Sequence, residues 1–182
     1  MKRTPATIAA LIAAQASMLG IWYAVERGRD PERGSPPQVA SQQTTPIDRP
    51  SPDLDLRRWD GSALRLSDMH GRPLVLHFWA TWCPPCVDEL PALLAYAAEG
   101  DMPVLAVSLD PDWSAVLRFL GSDPPPAIVL AEGDDVEEAF DVRSLPVTFV
   151  VDPGSRLRLR LDGPRDWASA RARDAILEVV RP

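Results

Sequence analysis

Cys83 and Cys86 are the only two cysteines in the 182-residue chain, and they stand two residues apart within "FWATWCPPCVDELP", Phe78 to Pro91. A Cys-x-x-Cys pair can hold a metal, close a structural staple or carry electrons. The four-cysteine zinc patterns and a disulfide framework both need more cysteines than this chain has. Covalent haem is excluded because Val87 stands where that motif needs histidine. A copper or zinc carrier would have to recruit His77 or His70, the only two histidines, and neither has customary ligand spacing. A staple closing so short a loop constrains little of the unfolded chain, so stability alone is a poor reason for the pair. Dithiol-disulfide exchange is the chemistry that best uses these residues. The metal carrier and a non-catalytic tethered binding module stand as the alternatives.

Exchange needs one sulfur to be acidic, and the flanking elements are predicted to make it so. Leu74 to Trp79 is an apolar run broken only by His77, which reads as a strand buried on both faces. After a short loop, a helix starting near Cys83 and running to about Ala98, interrupted at Pro91, puts the first sulfur at a helix N-terminus. There the unpaired N–H groups and the dipole favour the thiolate, which is the attacking species. Cys86, one turn on, is less exposed but within disulfide reach. Pro84 and Pro85 suit a first helical turn, whose N–H groups have no intrahelical partners.

The rest of the chain supplies the frame. Leu54–Trp59 and Ala63–Leu66 are candidate strands around the turn Asp60-Gly61-Ser62. Val104–Leu109 is a second buried strand. Asp110 is then placed as an N-cap with Pro111 at the first helical position, before the stripe Trp113, Val116, Leu117 and Leu120. A strand at Ile128–Leu130, a short helix at Val136–Phe140, strands at Val147–Val151 and Arg156–Leu161, and a helix from about Arg165 to Val180 complete the order. Arg156, Arg158 and Arg160 alternate with leucines, which reads as a charged outer face protecting a sheet edge rather than a docking site for an acidic partner. The alternation of strands and helices predicts an α/β fold with a mixed central sheet flanked by helices and an N-terminal strand extension.

Ahead of this domain, taken as residues 53–182, lie two segments of different character. No charge occurs from Thr4 to Val25, and Pro5 to Val25 at helical rise covers roughly 30 Å, so residues 1–25 read as an N-terminal membrane anchor. A cleaved signal peptide is the competing reading, with Ala14-Gln15-Ala16 as the cleavage site. Residues 26–52 are rich in proline and polar residues and read as a flexible linker. A formal charge of -7 argues against nucleic acid as a partner.

The motif, its place after a buried strand, Pro91 beyond it, and Ser144-Leu145-Pro146-Val147-Thr148 before a late strand resemble the thioredoxin-like fold. "GRPLVLHFWATWCPPCVDELP" and "LPVTFVVD", behind an N-terminal apolar segment, resemble the TlpA/ResA-like membrane-anchored thiol-disulfide oxidoreductases. The resemblance implies Cys83 and Cys86 as the catalytic pair and a cis Pro146 that aligns substrate backbone against Leu145. It also implies substrate contacts from Trp82, Pro84 and Pro85. No cofactor is implied beyond the redox-active disulfide. The implied partners are a protein thiol or disulfide substrate and a membrane-embedded electron donor. The implied place is the extracytoplasmic side of a bacterial membrane, with cytochrome c maturation as one such role. His77 stands where thioredoxins carry a buried Asp and this family often has Asn. There it is either a proton shuttle for Cys86 or a core histidine satisfied by backbone groups. Glu89 matches a family position, against the default of an exposed helix carboxylate, and Asp110 is a nearby proton acceptor or simply a cap.

Overall fold

The computed structural model describes residues 42–180 apart from 101 and 134–135. The expected anchor over residues 1–25, and the linker as far as residue 41, lie outside the described residues. Among the described residues no helix is long and apolar enough to cross a membrane.

Three parallel strands form the centre: β4 (Leu74–Trp79), β5 (Val104–Ser108) and β6 (Ile128–Ala131). Their near-continuous apolar sequences follow from burial on both faces, and β4 and β5 contain no exposed position. On one side of β4 run the antiparallel strands β7 (Val147–Val151), β8 (Arg156–Asp162) and β1 (Gln43–Pro50). Beyond β6 lie β2 (Asp55–Arg57) and β3 (Ala63–Arg65), joined by the Asp60-Gly61-Ser62 turn, where Gly61 takes a φ of 84°. The sheet order is β1-β8-β7-β4-β5-β6-β2-β3.

Period-two alternation divides the apolar residues of this sheet into two cores. Leu74, Leu76, Phe78, Val107, Val147 and Phe149 fill one, which α3 (Val136–Ala139) helps close with Val136. Val75, Trp79, Ala106, Ile128 and Val150 belong to the other, under α1 (Pro84–Glu99), α2 (Trp113–Leu120) and α4 (Ala170–Val180). His77 and Thr148 alternate onto this second face and sit directly opposite each other across β4 and β7. The layout is the thioredoxin-like mixed sheet flanked by helices.

Four expectations are corrected. Residues 43–50, read as part of the linker, form edge strand β1. Its Thr45, Ile47 and Arg49 turn half-buried toward the domain, while Pro46 and Pro50 face outward, where an edge strand tolerates prolines. Consequently β8 is not a sheet edge, and its arginines are not a bare outer face: Arg156 and Arg158 pair with Asp48 of β1, and Arg160 with Asp162. Helix α1 is continuous through Pro91, which is exposed, and ends at Gly100 with a φ of 79°. The last helix starts at Ala170 rather than Arg165, leaving Trp167 in the preceding loop, where it is nevertheless buried.

Candidate active site

Strand β4 delivers the cysteine motif to the end of the sheet, and the chain turns there into α1. Cys83 is the N-cap of that helix: its sulfur accepts the backbone N–H of Cys86 at 3.3 Å, with Pro84 and Pro85 filling the first two helical positions. Here is the local arrangement that favours a thiolate at Cys83. Cys83 and Cys86 are joined by a disulfide with their Cα atoms 5.3 Å apart. Cys83 keeps 5% of its surface exposed and Cys86 none, so a partner can reach only the first sulfur. Trp82 is 62% exposed beside it, whereas Trp79 is fully buried and donates its indole N–H to the Ala106 carbonyl at 3.3 Å. Pro84 is exposed and Pro85 half-buried on the same rim. The Leu145–Pro146 bond is cis, Pro146 is buried, and half-buried Leu145 packs against the core that holds both cysteines.

Asp110 is not a helix cap. That role falls to Asp112, whose carboxylate accepts the Ser114 N–H at 2.7 Å. Asp110 is buried at the end of β5 and already engaged. It accepts the Thr81 N–H at 3.0 Å, the Thr81 hydroxyl at 2.7 Å and the Ser108 hydroxyl at 2.7 Å. The carboxylate thereby ties the residue two before Cys83 to the neighbouring strand.

Glu89 is likewise buried, not exposed, because Cys86, Glu89, Leu90, Leu93 and Tyr96 share the inward face of α1. One oxygen, Oε2, accepts the Arg165 N–H at 2.6 Å and the Trp167 indole N–H at 3.0 Å. The other, Oε1, has no hydrogen-bond partner and faces Nε2 of His77, also unpartnered, at 3.6 Å. Burial pushes the Glu89 carboxyl up to about 7, against the opposing pull of its two N–H donors and the Arg165 charge. Burial also drives the His77 imidazole down to about 3, so the ring is neutral at physiological pH. Its Nδ1 lies 2.9 Å from the Thr148 hydroxyl. His77 is therefore not a core histidine satisfied by backbone groups; both nitrogens face side chains. His70 is exposed ahead of β4, at the end of that strand opposite the cysteines, roughly 20 Å of strand away.

The structure puts Cys83, Cys86, Trp82, Pro84, Pro85, Leu145 and Pro146 at this end of the sheet, while sequence reasoning missed Thr148 beside His77, Arg165 and Trp167 around Glu89, and Thr81 and Ser108 around Asp110. The quoted Pro146-Val147-Thr148 run contained one of them, yet only the β4–β7 register reveals its partner.

The AhpC/TSA family model matches residues 47–160. The chain belongs to this family. It is 32% identical over 114 residues to the thiol-disulfide oxidoreductase ResA of Bacillus subtilis, a match covering 59% of this chain and 62% of that protein. With ResA of Geobacillus kaustophilus the identity is 33% over 120 residues, covering 62% of this chain and 67% of the relative. The chain thus spans less than two thirds of the length of the B. subtilis relative. Among solved structures, one from Chlorobium tepidum, itself proposed to be the thiol:disulfide interchange protein DsbE, superposes with a TM-score of 0.61 at 26% identity. That match covers 72% of this chain and 96% of the other.

Proposed function

We propose that the chain is an extracytoplasmic thiol-disulfide oxidoreductase that exchanges the Cys83–Cys86 pair with partner proteins, working as a reductant. The carrying observation is Cys83 at the N-cap of α1, bonded to a fully buried Cys86. In the reducing direction, Cys83 thiolate attacks a partner disulfide, forming a mixed disulfide and releasing the partner's other sulfur as a thiolate. Cys86 then loses its proton and attacks the Cys83 sulfur. The internal disulfide forms, and the partner's remaining sulfur leaves reduced. Trp82, Pro84, Pro85, Leu145 and Pro146 form the surface that receives the partner chain. The names of the ResA relatives support the reaction class.

The uncharged run from Thr4 to Val25 supports a membrane tether, with the domain on the extracytoplasmic side and electrons supplied by a membrane-embedded donor. Cytochrome c maturation is the proposed setting. Neither histidine supports the carrier reading, since His77 is engaged with Thr148 and Glu89 and His70 lies at the opposite end of β4 from the cysteines. The test is dithiothreitol-driven insulin reduction. The intact pair should accelerate insulin precipitation and Cys83→Ala should return it to background; equal rates for the two proteins would refute the proposal.

A further inference from the structure

A buried polar atom without a partner costs free energy comparable to a lost hydrogen bond, so two such atoms facing each other call for a physical account. Nε2 of His77 and Oε1 of Glu89 are that pair, 3.6 Å apart with no other partner. The gap exceeds a formed hydrogen bond and is within reach of a modest side-chain rotation. On the other side of the imidazole, Nδ1 meets the Thr148 hydroxyl at 2.9 Å. A hydroxyl can donate or accept, and a neutral imidazole carries its proton on either nitrogen.

We propose that Thr148, His77 and Glu89 act as one proton-holding unit, in which neutral His77 changes tautomer as Glu89 gains or loses its proton, making His77 the positioning residue for the carboxyl one turn from Cys86. With Glu89 ionised, His77 carries its proton on Nε2 and donates to Oε1, while the Thr148 hydroxyl donates to Nδ1. With Glu89 protonated, Oε1–H donates to Nε2, and Nδ1–H donates to the Thr148 oxygen. The unit holds exactly one more proton in the second state, on Glu89, and His77 never becomes an imidazolium. The facing atoms Oε1, Nε2, Nδ1 and the Thr148 oxygen each keep a partner in both states, which Ala at position 77 could not offer.

The surroundings suit the assignment. Trp167 closes the site from above, its ring edge-on to His77 with centroids 6.0 Å apart and its N–H on Oε2. Among the described residues Arg165 contributes a backbone N–H and the one positive charge acting on Glu89, itself balanced by Asp162. Cys86 and Glu89 share the inward face of α1. Burial brings Glu89 to about 7, where both states are populated at neutral pH.

The bearing of this unit on thiol chemistry rests on the reading of Cys86 as the resolving thiol, but the tautomer change does not. It is testable in the oxidised protein, without any partner. In protein carrying ¹⁵N-histidine, with His70 assigned through His70→Gln, the His77 nitrogens should exchange protonated and bare character between pH 5 and 9. The midpoint should match that of the Glu89 carboxyl carbon, and Glu89→Gln should abolish the pH dependence. Thr148→Val leaves Nδ1 without a partner in both states. Because a buried N–H left without an acceptor costs more than a bare ring nitrogen, the state with Glu89 protonated should suffer more, and the shared midpoint should fall by on the order of half a pH unit or more. A His77 tautomer fixed across the range, both nitrogens protonated at the acidic end, or an unmoved midpoint in Thr148→Val would overturn the proposal. Insulin reduction reports separately on Cys83, so either claim can fail while the other stands.

Discussion

Two buried carboxylates flank the cysteine motif, and they are partnered in opposite ways. Asp110, before the motif in space, receives three donors from Thr81 and Ser108. Glu89, one turn after Cys86, receives two donors on one oxygen and none on the other. Burial is similar, at 4% and 7% exposure, so burial alone does not separate them. Donor count does. A carboxylate with donors on both oxygens serves as a clamp, whereas one left half satisfied beside a neutral imidazole is free to take up a proton. The entry to Cys83 is thus held rigid, while the ground beneath Cys86 can change charge.

The largest effect should come from breaking the clamp. Asp110→Ala leaves the Thr81 N–H without its acceptor and frees the Thr81 and Ser108 hydroxyls, and should cost about 2–4 kcal/mol in urea unfolding. A cost below about 1 kcal/mol would mean that Asp110 is no clamp and would dissolve the contrast.

A smaller effect separates the two halves of the proton unit. Glu89 titrates near 7 in the folded protein against an ordinary 4.5, so between those values the folded state keeps a proton that the unfolded chain has lost. Its contribution to stability therefore falls as pH rises through that window. His77 titrates near 3 against an ordinary 6.5, so the folded state lacks a proton that the unfolded chain carries. Its contribution falls as pH drops from 6.5 toward 3. Where the windows overlap the two slopes oppose each other and nearly cancel. Glu89→Gln should expose the His77 slope, with stability rising with pH by on the order of 1 kcal/mol per unit. His77→Asn should expose the reverse slope. Urea midpoints between pH 4.5 and 6.5 measure both, and variants running parallel to the parent protein would contradict the opposed shifts.

What the sequence revealed and what it hid follow the same division. The boundaries of β4 and β7 match their apolar runs, because strands buried on both faces announce themselves without knowledge of neighbours. Cys83 as a helix start was equally legible, since the following prolines and the preceding strand are local signals. Strand β1 was not, because its half-buried Thr45, Ile47 and Arg49 alternate with prolines and polar residues and gain meaning only from pairing with β8. Glu89 and Asp110 were misjudged for a related reason. These carboxylates' surroundings depend on residues far off in sequence, with Thr81 lying 29 positions from Asp110 and Trp167 lying 78 positions from Glu89.

The central claim is that Cys83 attacks and Cys86 resolves, and a trapping measurement tests it directly. Full-length Cys86→Ala, expressed in its own cell, should accumulate a mixed disulfide between Cys83 and a partner protein, visible on a non-reducing gel and identifiable by mass spectrometry, because the resolving thiol is gone. Cys83→Ala should trap little, since the remaining thiol occupies a fully buried position. Equal capture of the same partners by both variants, or capture by neither, would contradict the assignment.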